Sequence, residues 1–305
     1  MSDSKVLIIG SKQIGLSLLK HSFKVGRSNI VGMLTVDDNS DARSELPEIK
    51  NFTTQNNIPL FFAANRTDSE KIILEVNPDI CFVAGWYYIF SEKILNRVPN
   101  GFIGIHHSLL PKYRGGSPLV WSIINGDEFT GTSIFKFSPG MDDGPLYAQQ
   151  KIEIANTDYV SDVLDKCNNA AIEMLAKNFA AIVDGSIKAK AQNLKDSTFC
   201  ALRTPDDGLI NWNWQAQKIY NFIRAQAPPY PCAFTFFESE KLSILKAEIL
   251  HDTFYGTPGQ VVSINPNGVS VVCGDNKVLI LKEANYKTIV SSANHVIKSI
   301  STRLK

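Results

Sequence analysis

Cysteine is scarce in this 305-residue sequence, and the five that occur (Cys81, Cys167, Cys200, Cys232 and Cys273) are scattered and never spaced C-x-x-C. That pattern argues against a disulfide framework and a structural zinc site, so no metal is expected and the thiols read as buried side chains of a reducing compartment. Long apolar runs are absent as well. Nothing approaches the roughly 18 residues of a membrane span, and the four apolar residues after Lys5 are too few for a signal-peptide core, which makes the cytoplasm the expected location. A charge bias is missing: 31 Lys and Arg against 30 Asp and Glu leave +1, and the whole-chain balance gives no reason to expect a polyanionic partner. Gly10-Ser-Lys-Gln-Ile-Gly15 has only two of the three glycines of a dinucleotide loop, so a nicotinamide-binding protein is a weak rival reading. There is no internal repeat and no low-complexity tract.

With 44% hydrophobic residues the chain has ample material for a core. Val6 to Ile9 is an apolar run closed by Gly10, followed by Ile14, Leu16, Leu18, Leu19 and Phe23 at helical spacing and a second apolar run from Ile30 to Val36. The pattern recurs with Lys71 to Val76 as helix and Ile80 to Val83 as buried strand, which predicts a parallel sheet covered by helices. Gly131 to Phe137 and Leu146 to Ile154 add strands, and Tyr159 to Val183 reads as one long helix. The polar stretch from Lys188 to Ser197 reads as a connector. Beyond it a helix is expected over Trp212 to Ala225. Five short strands between Ala233 and Ala284, punctuated by Pro-Gly, Pro-Asn-Gly and Gly-Asp-Asn turns, suggest a small barrel. The expected division is residues 1–187, a linker at 188–202, and 203–305.

The chemistry is concentrated in Gly104-Ile-His-His-Ser-Leu-Leu-Pro-Lys-Tyr-Arg-Gly-Gly-Ser-Pro118 and Ser138-Pro-Gly-Met-Asp-Asp-Gly-Pro145. A loop rich in Gly, Pro, His and charge that follows a buried strand sits where open parallel sheets hold their ligands. An imidazole there can move protons at neutral pH.

These segments resemble the active-site signature of the formyltransferase family, N-x-H-P-S-L-L-P-x-Y-R-G followed by D-x-G. The match runs through His106, Ser108-Leu-Leu-Pro111, Tyr113-Arg-Gly115, Pro118 and Asp142-Asp-Gly144. Val6 to Gly10, Arg203 to Trp212, Ile223-Arg-Ala225 and Pro229 to Phe234 extend it over nearly the whole chain. The resemblance implies an enzyme with a Rossmann-like, parallel-sheet α/β domain, a smaller β-barrel-like (OB-like) C-terminal domain, and N10-formyltetrahydrofolate as co-substrate. It implies that His106 supports the developing oxyanion and relays protons while Asp142 orients and supports the charged imidazole. It places the folate against Gly85, Trp86, Tyr87, Tyr88, Ile89, Leu110 and Asp142, and the acceptor near His107, Ser108, Lys112 and Arg114. Arg114 reads more as a brace than as a catalyst. One departure stands out: the family asparagine, two positions before the histidine, is Gly104 here. His107, in place of the usual proline, is a candidate to compensate, with a solvent-facing loop histidine as the other reading.

Members of this kind formylate either initiator methionyl-tRNA or the amine of a nucleotide-linked amino sugar. Residues 37 to 50 correspond to a basic insertion in the tRNA enzymes. Here they hold Asp37, Asp38, Asp41, Glu45 and Glu48 against Arg43 and Lys50, a net of −3. That favours a small nucleotide-sugar acceptor and disfavours tRNA. A non-catalytic folate or sugar-nucleotide binding protein is a second alternative. The second domain reads as a dimerisation or auxiliary module, so a homodimer is an open expectation.

Overall fold

The structure is a computed structural model and describes residues 4–305. In chain order the first elements are β1 (Val6–Gly10), α1 (Lys12–Gly26), β2 (Ile30–Thr35), α2 (Leu46–Gln55), β3 (Leu60–Phe62), α3 (Arg66–Val76), β4 (Ile80–Ala84), α4 (Glu92–Leu95) and β5 (Phe102–His106). There follow a two-residue strand β6 (Arg114–Gly115), α5 (Pro118–Ile124), β7 (Phe129–Lys136), β8 (Leu146–Glu153) and the long α6 (Val160–Val183). The remainder comprises β9 (Phe199–Cys200), α7 (Ala216–Gln226), strands β10 (Ala233–Phe237), β11 (Glu240–Leu250), β12 (Val261–Asn265), β13 (Gly268–Val272), β14 (Val278–Tyr286) and β15 (Ile289–Ser292), and α8 (Ala293–Val296).

Two compact units result, and they are not consecutive in sequence. Of the described residues, the first comprises 4–115 with 130–152 and 165–199; the second comprises 116–129, 153–164 and 200–305.

The first unit is built on a seven-stranded sheet in the order β3-β2-β1-β4-β5-β7-β8. The strands from β3 to β5 are parallel, and β7 joins β5 antiparallel. Burial on both faces explains the unbroken apolar sequences of β1 and β4. Val6 and Ile8 enter one core with Leu18, Leu19, Phe82 and Phe179. Leu7 and Ile9 enter the other with Phe90 and Phe102, as a period of two dictates. The strand order reverses between β1 and β4, which opens a crevice at the carboxyl ends of the strands. Gly10 and Gly15 pack that junction. A Cβ on Gly10 would overlap the Ala84 carbonyl oxygen, and one on Gly15 would come within 2.9 Å of the Gly10 carbonyl carbon. Close packing thus accounts for both glycines of the would-be dinucleotide loop.

The second unit holds the antiparallel sheet β10-β11-β14-β13-β12, with β15 on β14. The last residues bridge its two edges: Lys305 N–H donates to Phe236 O and Phe236 N–H to Lys305 O, while Leu304 N–H donates to Gly259 O and Val261 N–H to Thr302 O. That closes a small barrel, with Leu304 buried. The helix expected over Trp212 to Ala225 begins only at Ala216. Its first residues are held elsewhere, because Ile210 bonds to Phe234 of β10 and the Trp212 indole donates to Thr235. Cys81, Cys167 and Cys273 are buried, whereas Cys200 and Cys232 are partly accessible. Among the described residues no helix is long and apolar enough to cross a membrane.

Candidate active site

His106 is the last residue of β5, at the carboxyl edge of the sheet, and alternation places it on the same face as Phe102 and Gly104. Its Nε2 lies 2.8 Å from the Tyr113 carbonyl oxygen. A carbonyl can only accept, so Nε2 carries a hydrogen and donates. In the neutral ring this leaves the Nδ1 lone pair turned toward Asp142, whose Oδ2 is 3.7 Å away. The spacing is too long for a good hydrogen bond, so the carboxylate faces Nδ1 without bonding it. An imidazole lone pair that faces a carboxylate is an arrangement that can take part in proton transfer.

Asp142 is fixed from two sides. Its Oδ2 accepts the Gly115 N–H at 2.8 Å, and its carbonyl oxygen accepts Gln192 Nε2 at 2.8 Å. The same Gln192 nitrogen donates to Gly144 O at 2.7 Å, while Gln192 Oε1 accepts from Arg114 Nη2 at 2.7 Å and Nε at 3.3 Å. Arg114 is 4% exposed. One buried carboxamide thus ties the strand that contains Arg114 to the loop that contains Asp142. Asp142 (φ 46°) and Tyr113 (φ 58°) both adopt the left-handed region. Non-glycine residues resist that conformation by about 1–2 kcal/mol, and such strain collects where a side chain must be aimed.

The intervening loop folds on itself. Ser108 Oγ donates to Lys112 O, and Ser133 Oγ donates to Ser108 O while accepting from Leu110 N–H. Gln149 Nε2 donates to Leu110 O and to Ser133 Oγ. Ser108 and Leu110 are buried, and the Arg114 side chain is engaged by Gln192, as a brace would be. Lys112 is exposed, with its backbone closing the turn at Leu109.

His107 neither faces solvent nor stands beside Gly104. Its Nδ1 is 3.2 Å from Thr132 Oγ1 and its Nε2 3.1 Å from Asn168 Oδ1. It follows the last residue of the strand and turns toward β7 and α6, so it supplies no replacement donor at position 104. Burial, with a smaller push from His106, lowers its pKa to about 4 from the ordinary 6.5. Between those pH values the unfolded chain takes up a proton that the native protein resists. Stability should therefore be level above pH about 6.5 and fall by on the order of 3 kcal/mol as pH drops toward about 4. Urea midpoints measured across that window for the wild type and His107→Gln check this, with the variant showing a flatter dependence.

After β4, Gly85 to Ile89 run along the crevice. The Trp86 ring stands edge-on to Tyr88 and parallel to Phe90, and its Nε1–H is buried with no partner among the described residues. Tyr88 hydroxyl donates to Ala64 O. Tyr87 hydroxyl reaches Asp38 at 3.1 Å and Asp41 at 3.0 Å, and Lys12 Nζ sits 4.2 Å from its ring centroid. Burial and the two carboxylates push the Tyr87 phenol up. Arg43 grips Asp41 with both Nε and Nη2 and holds that carboxyl well below the usual range. Ile89 is 85% exposed.

The structure thus brings His106 and Asp142 together and shows Gly85, Trp86, Tyr87 and Tyr88 lining the carboxyl edge after β4. The residue missing from the sequence reading is Gln192, which lies in the stretch read as a polar connector. No local pattern marks it, since its partners are about 50 and 80 positions away.

The profile of the family described as Formyl transferase matches residues 5–178, and that of Formyl transferase, C-terminal domain, matches 203–296. The methionyl-tRNA formyltransferase of Clostridium acetobutylicum is 29% identical over 284 residues, 91% of each chain. The bifunctional polymyxin resistance protein ArnA of Wigglesworthia glossinidia brevipalpis is 32% identical over 86% of this chain and 40% of its own length. Among solved structures, the N-formyltransferase from Helicobacter canadensis, in complex with folinic acid and dTDP-3-aminofucose, superposes with a TM-score of 0.72. It covers 91% of this chain and 98% of its own at 17% identity.

Proposed function

The chain belongs to the formyl transferase family, and on that footing we propose that it transfers a formyl group from N10-formyltetrahydrofolate to the primary amine of a nucleotide-linked amino sugar. The folate supplies an activated formyl carbon. The amine nitrogen bonds to that carbon as the bond to the folate nitrogen breaks, and one proton must pass from the first nitrogen to the second. His106 is the group that holds and moves this proton, with Nδ1 as the receiving atom and Asp142 supporting the imidazolium. The Nε2–H bond to Tyr113 O fixes the ring so that Nδ1 stays aimed. The buried Trp86 Nε1–H is a donor in want of an acceptor, and the folate ring system offers one. The work is expected in the cytoplasm.

The choice of acceptor rests on one observation. Residues 37 to 50 carry five carboxylates against two basic side chains, and Arg43 is spent on Asp41. The nearby Lys12 also faces Asp41, at 3.8 Å. A surface that must clamp phosphates needs free positive charge, and binding follows the number of such contacts. Methionyl-tRNA is the second reading, favoured by the similarity to the Clostridium acetobutylicum enzyme over nine-tenths of both chains.

The test is to incubate the protein with N10-formyltetrahydrofolate, a panel of UDP- and dTDP-linked amino sugars, and methionyl-tRNA, and to follow product mass. A gain of one formyl group on a sugar is expected. Transfer to methionyl-tRNA alone would overturn the acceptor assignment, and folate binding without any transfer would favour a binding protein.

A further inference from the structure

The face of β5 that ends at His106 reads Phe102, Gly104, His106, and β7 lies antiparallel beside it with Phe135 opposite Gly104. Just past β7, Phe137 leans across this surface. A Cβ placed on Gly104 would lie 2.8 Å from Phe137 Cζ and closer still to Cε1, distances that real Cβ atoms do not reach. The ring is not at liberty to swing aside. It stacks parallel to Phe102 with centroids 6.4 Å apart, packs on Phe135 at 5.2 Å and on Phe90 at 6.4 Å, and its backbone N–H donates to Phe102 O. Phe135 in turn meets the His106 ring edge-on at 6.3 Å. An aromatic seam thus runs from Phe90 to the imidazole, and Phe137 fills the gap in it that any side chain at position 104 would enter.

Two residues along a strand is about 7 Å, so a side chain at 104 would stand immediately beside the imidazole on the same face. Here that place is apolar and closed. Polar side chains of the adjoining segments are engaged, Ser138 Oγ with Asp143, Ser133 Oγ with the 108–110 backbone, and His107 with Thr132 and Asn168, while the buried Trp86 Nε1–H belongs to the ring that packs on Phe90.

We propose that Phe137 occupies the place that a donor side chain at position 104 would take beside the imidazole, and that Gly104 and Phe137 form a matched pair which leaves the reacting carbonyl oxygen no side-chain donor from β5 other than the proton His106 takes up on Nδ1. The inference rests on the formyl-transfer reading given above. It makes Phe137 a positioning residue that sets how many donors the site offers. A lone imidazole suffices for turnover but at reduced rate, because one missing donor in such a site typically costs about 10²–10³-fold. Restoring a donor requires two changes at once. Position 104 must gain a carboxamide, and position 137 must give up its ring.

The experiment is the cycle of Gly104→Asn, Phe137→Ala and the double variant, with Phe137→Val in parallel should the larger truncation fold poorly. Thermal unfolding and the rate of tetrahydrofolate release from N10-formyltetrahydrofolate are read with and without acceptor. Gly104→Asn alone is expected to unfold several degrees earlier and to turn over more slowly than wild type, since the new side chain and the Phe137 ring compete for one volume. In the double variant the stability loss should be smaller than the sum of the singles, and kcat should exceed that of Phe137→Ala by about tenfold or more at little changed acceptor KM. A Gly104→Asn variant that folds and turns over like the wild type would overturn the proposal. So would a double variant no faster than Phe137→Ala. A wild type without transfer to any acceptor would overturn the proposed function, whereas strictly additive stability losses across the cycle would overturn the matched pair itself.

Discussion

Replacing His106 with alanine is expected to lower kcat for formyl transfer about 10²–10⁴-fold, the range that a positioned general acid–base contributes. The fold should survive. The imidazole is only partly buried, and its one backbone bond, to Tyr113 O, is of a kind worth about 0.5–1.5 kcal/mol net. Asp142→Asn should show the complementary pattern. An asparagine can still accept the Gly115 N–H through its side-chain oxygen, so the loop is kept while the negative charge facing Nδ1 is lost. Single-turnover rates for both variants, with folate binding measured separately, check this. An alanine variant that keeps wild-type kcat would remove His106 from the chemistry.

The second large effect is expected at Gln192. Its side-chain oxygen receives two hydrogen bonds from the buried Arg114 guanidinium, and its nitrogen serves the carbonyls of Asp142 and Gly144. Gln192→Ala deprives a charged donor and two backbone acceptors of their shared partner, and the loss should be about 2–4 kcal/mol. Activity should fall with it, because the left-handed Asp142 is no longer tied down. Gln192→Glu separates the two contributions. A carboxylate still receives Arg114 but donates to neither carbonyl, so it should retain more stability than alanine while losing comparable activity. Denaturant unfolding and kcat measured on both variants decide the matter. Equal activity in Gln192→Glu and wild type would confine Gln192 to a structural role.

What could be read ahead of the structure follows from the range of the interactions. The strands β1 and β4 announce themselves because both faces are buried and every residue in them must be apolar. The long helix to Val183 and the turn-punctuated strands after residue 233 are likewise local patterns. Strand direction is not local. Nothing in the sequence of Phe129–Lys136 says that it runs against β5, since a strand's side chains take the same two faces in either direction. The start of α7 differs from the expectation for a related reason: Trp212 suits a helix, but its indole bonds to Thr235 of β10.

The site divides in the same way. His106 and Asp142 lie in segments whose Gly, Pro and charge content marks them as loops at a sheet edge, and the resemblance to the family signature implies the roles proposed for them. The partners that aim them are dispersed. Gln192 is one polar residue in a polar stretch, distinguishable only once Arg114 and Asp142 are seen on either side of it. His107 reads as a candidate donor by its neighbourhood in sequence, yet the chain turns it into Thr132 and Asn168. Gly104 is visible as a departure, but its cause, the Phe137 ring, comes from a neighbouring strand and belongs to tertiary packing.

The acceptor is the central claim, and a direct competition tests it. The protein is given N10-formyltetrahydrofolate with a nucleotide-linked amino sugar and methionyl-tRNA in the same reaction at physiological salt, and the two kcat/KM values are compared. The charge of residues 37 to 50 and the engagement of Arg43 by Asp41 predict that the sugar takes the formyl group. A higher kcat/KM for methionyl-tRNA, falling steeply as salt is raised, would contradict the account, because it would mean that phosphate contacts carry the recognition.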